Sequence, residues 1–144
     1  MSKFGEQMKR WEAILGAAAE GTQEEALEAF FQHLKANLQL PCEVKGTEDF
    51  RWEEPYVLGV WSAQEYERLK KTQPSYTDTY DLLDIERSER SEWMMFDEDI
   101  VAHVRRKSDG KEFDLGLAEL VVTDKKSPNF QLFDDFAVWL VNNR

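Results

Sequence analysis

The chain has 144 residues and a net charge of −11, a length that suits one domain burying about two-thirds of its unfolded surface. Nine Phe, five Trp and four Tyr exclude a disordered acidic tail, because disordered chains are poor in aromatics. The charge balance excludes phosphate backbones and anionic membrane surfaces as partners. Residues 41 to 100 hold sixteen Asp and Glu against seven Lys and Arg, so the acid is concentrated in the middle of the chain. A lone cysteine, Cys42, forms no intrachain disulfide and fits a reducing compartment. The opening residues lack an apolar signal core, and no run approaches the roughly 18 apolar residues of a membrane span. The expected location is the cytoplasm.

In chain order, apolar residues from Phe4 to Leu38 recur at helical spacing, as in Trp11, Ile14, Leu15 and then Leu27, Phe30, Phe31, Leu34. The helix pair breaks at Gly21, and Thr22-Gln23-Glu24-Glu25 is a capping box for the second helix, which Pro41 stops. Phe50, Trp52, Tyr56 and Leu58 then alternate with Asp49, Arg51 and Glu53, which predicts a half-buried strand, with Pro55 near an edge or bulge. Ser62-Ala63-Gln64-Glu65 opens a short helix that Thr72-Gln73-Pro74 ends. Tyr80 to Ile85 suits another strand, followed by a polar loop to Glu92. Ile100 to Leu120 predicts a β-hairpin, because Asp109-Gly110 separates two β-prone runs and glycine accepts positive φ without steric cost. The tail suits a helical turn leading into a closing strand. Together these elements predict a single α+β domain: residues 1–40 form a helical hairpin packed on a small, strongly bent antiparallel sheet of residues 41–144, of the SH3-like barrel type.

Catalytic patterns are missing. No nucleophile elbow, P-loop or Gly-x-Gly-x-x-Gly occurs, and His33, His103 and Cys42 are too few and too scattered for a closed zinc site. EF-hand loops fail as well: one opening at Asp97 places Val101, Ala102 and Ser108 at its fifth, sixth and twelfth positions. Asp97 and Asp99, two apart in extended chain, have Cα atoms about 6.6 Å apart, close enough to share an ion; they also read as a solubilising acidic pair. Asp49 and Glu53 would lie about 13 Å apart on a strand, so neither closes on an ion without another loop. Asp78, in the oxygen-rich loop Pro74-Ser75-Tyr76-Thr77-Asp78, would supply a cross-loop carboxylate or else a turn cap. Asp124 and Asp134-Asp135 read as caps or surface groups, and Tyr76, Tyr80, Trp93 and Phe96 as core.

Leu40-Pro41-Cys42-Glu43-Val44-Lys45-Gly46 running into Glu48-Asp49-Phe50-Arg51-Trp52-Glu53-Glu54 resembles the CcbP-type bacterial calcium-binding proteins. Tyr66-Glu67-Arg68-Leu69, Pro74 to Asp78, Val104 to Lys111 and Asp134 to Trp139 add to the likeness, which covers roughly residues 25 to 144. The resemblance implies a small cytosolic protein, not an enzyme, that binds Ca2+ through acidic loops as a buffer or signalling component. It implies Asp49 as a ligand, with Glu53 and Asp78 at further acidic positions; Asp97 and Asp99 rest on their spacing. The alternative reading is an interaction module whose acidic surface docks a basic protein partner, with no specific ion.

Overall fold

The computed structural model describes residues 2–87, 91–94 and 99–143. The helical hairpin forms as expected: α1 (Lys3–Leu15), a 3-10 turn through Glu20, and α2 (Gln23–Asn37). Thr22 and Glu25 satisfy each other's free amides at the start of α2, completing the capping box. Helix α1 begins where the Ser2 hydroxyl accepts from the Gly5 N–H at 2.9 Å.

Five antiparallel strands follow: β1 (Cys42–Gly46), β2 (Thr79–Glu86), β3 (Val101–Arg106), β4 (Glu112–Gly116) and β5 (Leu120–Val122), in the order β4-β3-β2-β1-β5. Mixed α+β architecture is therefore correct, but the sheet stays open, with β4 and β5 as its edges, and does not close into a barrel. Strand β2 buries Tyr80 and Leu82, then Ile85, because a register shift between Leu82 and Asp84 moves the inward face from even to odd positions. Strand β3 turns Ala102, Val104 and Arg106 inward on one parity. The β3–β4 hairpin turns at Gly110, whose φ of 75° needs glycine.

Two segments correct the sequence reading. Phe50 to Leu58 is not a strand: Arg51–Glu53 is a 3-10 turn, and Glu54–Val57 is a short helix, α3. Trp52 and Tyr56 are four apart, a spacing that fits both an alternating strand and a helical face, and Pro55 loses no hydrogen bond at a helix start. The sheet instead takes Cys42–Gly46 as a central strand, whose only strongly apolar side chain, Val44, gives little periodic signal. The tail is one helix, α5 (Pro128–Asn143), burying Phe133, Phe136, Trp139 and Leu140 at helical spacing; β5 is the last strand. The short helix after Ser62 is α4 (Ala63–Leu69), capped by the Ser62 hydroxyl.

Helices α1, α2 and α5 pack together over the sheet. Phe30, Phe136 and Trp139 pack against one another at centroid distances of 5.1 to 6.3 Å, and Leu27, Phe30 and Leu34 share one core with Val44, Leu82 and Val104. Asp135, expected as a cap or surface group, is instead buried and held by a two-pronged Arg10 pair, at 2.8 and 2.9 Å. Asp124 does cap a turn, accepting from the Lys126 N–H. Among the described residues no helix is long and apolar enough to cross a membrane.

Candidate metal centre

The loops at one end of the sheet are tied together by Glu53. Its side chain is fully buried. One oxygen accepts from the Phe50 N–H at 3.2 Å and the Tyr76 N–H at 2.8 Å; the other accepts from the Tyr66 hydroxyl and the Ser75 hydroxyl, each at 2.6 Å. Four donors on two oxygens fill the carboxylate, so Glu53 joins the 3-10 turn to the Pro74–Asp78 loop through protein contacts alone. Burial first, then the bond to this carboxylate, push the Tyr66 phenol upward. Packing of the Pro74–Asp78 loop on the end of β1 is tight: a Cβ on Gly46 would lie 2.6 Å from the Tyr76 Cβ.

Asp78 is also engaged. Its carboxylate accepts from Arg106 at 3.0 Å. Arg106 is only 2% exposed and spends its guanidinium on Asp78, on both oxygens of Asp109, and on the backbone carbonyls of Lys70, Lys71 and Gln73. The hydrogen bonds from Arg106 draw the Asp109 carboxyl down to about 2. Nothing in the sequence flagged Arg106 beyond its inward parity at the end of β3, because its six acceptors come from three separate segments.

Asp49 sits half-buried beside this knot, and among the described residues its carboxylate has no hydrogen-bond or ion-pair partner. The loop carrying it is anchored at Thr47, whose N–H and hydroxyl both reach the Glu119 carbonyl, at 3.0 and 3.3 Å.

Glu119 also contributes its side chain to a second feature. Asp99 and Glu119 are 7% and 8% exposed, and they crowd one point above Gly116: a Cβ there would lie 2.5 Å from an Asp99 oxygen and 2.6 Å from a Glu119 oxygen. Glycine at position 116 leaves room for both carboxylates. Asp99 accepts from the Ile100 N–H at 2.7 Å and, more weakly, from the Ala118 N–H at 3.3 Å. Among the described residues, the partners of its carboxylate are backbone N–H groups, and its charged neighbour is another acid. Burial pushes the Asp99 carboxyl up to about 8, the two amides oppose this, and the Glu119 charge adds to it.

Of the five candidate ligands, Glu53 accepts from four protein donors and Asp78 from Arg106, Asp99 crowds Glu119 over Gly116, Asp49 follows the Thr47 contact to the Glu119 carbonyl by two residues, and Asp97 falls outside the described residues. Among the described residues no three His, Cys, Asp or Glu side chains converge tightly enough to hold a metal by themselves. Glu119 escaped the sequence reading because a lone acid after Gly116-Leu117-Ala118 carries no local pattern; only the 3-10 turn at Leu117–Glu119 brings it to Asp99.

The fold has known counterparts. The crystal structure of Anabaena CcbP superposes with a TM-score of 0.60 over 97% of this chain and 93% of that one, at 15% identity. A calcium-binding protein in its calcium-binding form superposes with a TM-score of 0.61 over 99% and 97%, at 16% identity. The chain has the CcbP fold. No protein-family model and no curated protein matches the sequence.

Proposed function

We propose that the protein binds calcium ions, at a centre formed around Glu119 by the Asp49 loop and the Asp99–Glu119 pair. The observation that carries this reading is the buried meeting of Asp99 and Glu119 across Gly116. Like charges brought together out of water are costly, and a bound cation removes that cost. The donors are all oxygens, as a hard cation requires, and carbonyls or waters would complete a coordination number of about 6 to 8. Asp97, two residues before Asp99, belongs to the proposed ligand set, and Asp49 supplies the unpaired carboxylate of the adjacent loop. Glu53 and Asp78 serve the centre by holding its loops. The two solved counterparts, one of them in a calcium-binding form, support the reading at the level of the fold. Magnesium competes poorly at so irregular a site, because it demands near-ideal octahedral geometry. The role is a cytoplasmic buffer or signalling component of bacterial type, and binding rather than catalysis.

Calorimetric titration of the metal-free protein tests this. Calcium is expected to bind saturably in the roughly micromolar to millimolar span of sensor and extracellular sites. Glu119→Gln and Asp49→Ala are each expected to weaken it at least about tenfold, the loss of one charged ligand. Calcium at a hundred times its dissociation constant adds about 2.7 kcal/mol of stability. No heat at millimolar calcium, with an unchanged melting temperature, would overturn the proposal.

A further inference from the structure

One-third of this chain is charged, yet residues 55–64 form an uncharged run of ten, the longest in the sequence. The same run carries the apolar surface that the fold leaves uncovered. Among the described residues, four of the eight exposed large apolar side chains are Val57, Leu58, Val60 and Trp61, with Leu58 and Val60 at 70% and 71% exposure. The segment is closed back on α3 by its own backbone: the Gly59 N–H donates to the Tyr56 carbonyl at 3.0 Å and the Val60 N–H to the Pro55 carbonyl at 2.9 Å. Gly59 makes the turn at a φ of 78°. Beside it runs an open groove of about 450 Å3, whose apolar walls include Trp52, Pro55, Tyr56 and Trp61. Tyr56 stacks on Tyr66 at 5.3 Å and meets Trp52 and Trp61 edge-on at 6.0 and 5.2 Å, which fixes these walls in place. Among the described residues the charged members of the groove are Arg51 and Glu92, one of each sign.

We propose that this face is the contact of a two-fold homodimer, in which the Leu58–Val60 turn of each copy enters the aromatic groove of the other. A two-fold contact is self-complementary, so a projection and a recess of matching chemistry must lie side by side on one subunit. They do here, because Pro55, Tyr56 and Trp61 belong both to the closed turn and to the groove walls. Charge points to the same occupant. Two copies that each carry −11 repel one another wherever their acids meet, and residues 55–64 are the longest stretch on which they can touch without any. Arg51 and Glu92, opposite in sign, add no net charge to the contact. The remaining repulsion is screened at physiological salt, where the Debye length is about 8 Å. An uncharged run offers no Lys or Arg to anchor it on anionic lipid and no carboxylate to select a basic partner. A face built from one turn and one groove sits at the low end of specific interfaces, about 1,200 Å2 in total or less, so the dimer is reversible, with a dissociation constant in the roughly micromolar range. The inference does not depend on calcium binding.

The test is sedimentation equilibrium of the full chain with calcium chelated, over roughly 1 to 300 μM, a span that brackets a micromolar dissociation constant. A monomer–dimer equilibrium with no larger species is expected. Raising NaCl from about 0.05 to 0.5 M should tighten the dimer at least about threefold, since salt screens the repulsion between two acidic chains while the contact itself carries no net charge. An association built on opposite charges would loosen instead. Leu58→Ser is expected to weaken the dimer at least about tenfold, as loss of a central apolar anchor does. Because Leu58 is exposed, circular dichroism and the melting temperature of the dilute monomer should not change. Val60→Ser provides a second variant on the same turn, and Val141→Ser, which removes an exposed apolar side chain from α5, should leave the dimer intact. A chain that stays monomeric throughout, assembly beyond the dimer, loosening by salt, or indifference to Leu58→Ser and Val60→Ser would each overturn the proposal. So would equal weakening by Val141→Ser, or binding of phosphatidylcholine vesicles through Leu58 in place of dimerisation.

Discussion

Around Glu53 and Arg106, carboxylates meet side-chain donors from other segments; across Gly116, two buried carboxylates also crowd each other. Glu53 accepts from two amides and two hydroxyls, and Asp78 and Asp109 share one buried guanidinium. Asp99 has only two backbone amides, with Glu119 as its charged neighbour. The residue types are the same in both regions, and so is their depth for Glu53, Asp99 and Glu119. What differs is the supply of donors. A saturated carboxylate is a structural strut with no lone pair to spare, whereas the burial of Asp99 beside a second acid stores unfavourable energy that a proton or a cation relieves. Composition alone ranks the two regions as equals; hydrogen-bond accounting separates them.

The contrast is most exposed to attack at Arg106. Arg106→Met removes the guanidinium from Asp78 and Asp109 and leaves the Lys70 and Gln73 carbonyls without its donors, while the Lys71 carbonyl keeps the Lys111 ammonium, and is expected to destabilise the fold by about 3 to 5 kcal/mol. Urea denaturation reads this directly, and a loss below about 1 kcal/mol would mean that the guanidinium is not a strut.

A smaller effect, opposite in sign, is expected at Asp99. Asn keeps an oxygen for the Ile100 amide while removing a buried acid whose ionisation is penalised, so Asp99→Asn should stabilise the metal-free protein by about 1 kcal/mol and weaken calcium at least about tenfold. Destabilisation of the metal-free protein would place Asp99 among the struts.

The smallest effect concerns His103, which lies on β3 between Glu86, at 2.9 Å, and Asp114. Partial burial opposes charge on the ring, but its bond to Asp114 and the nearby charges of Asp114 and Glu86 prevail and raise its pKa above the ordinary 6.5. A raised histidine stabilises the fold fully below its unfolded pKa, and that contribution is lost as pH rises through the folded value. Melting temperatures from pH 5 to 9 should therefore fall more steeply for the wild type than for His103→Gln, by an amount equivalent to about 0 to 1 kcal/mol at this half-exposed site. Parallel profiles would remove His103 from the charge balance of the sheet.

Much of the chain was legible because its signals are local. The Thr22–Glu25 box and the Gly110 turn each lie within a few residues, so elementary capping and turn chemistry sufficed. The 50–58 segment misled because a spacing of four satisfies a strand and a helix alike. Of the candidate site, Asp49 and Asp99 were visible as acids in suggestive places, but their environment was not. Glu53 looked identical to them and proved saturated, because its donors arrive from 13, 22 and 23 residues away as well as from its own turn.

By itself the sequence determined the helical hairpin, the β3–β4 hairpin, the α+β class and the placing of negative charge in the middle of the chain, since all of these follow from backbone preferences and short-range periodicity. Tertiary structure alone decided that Cys42–Gly46 is a central strand, that the tail is a helix, that Arg106 lies inside, and that Glu119 meets Asp99 over a glycine. The physical reason is that hydrogen-bond satisfaction and desolvation are properties of a place. The charge of a carboxylate is written in its residue type, but whether it is a strut or a ligand depends on how many donors the folded chain brings to it.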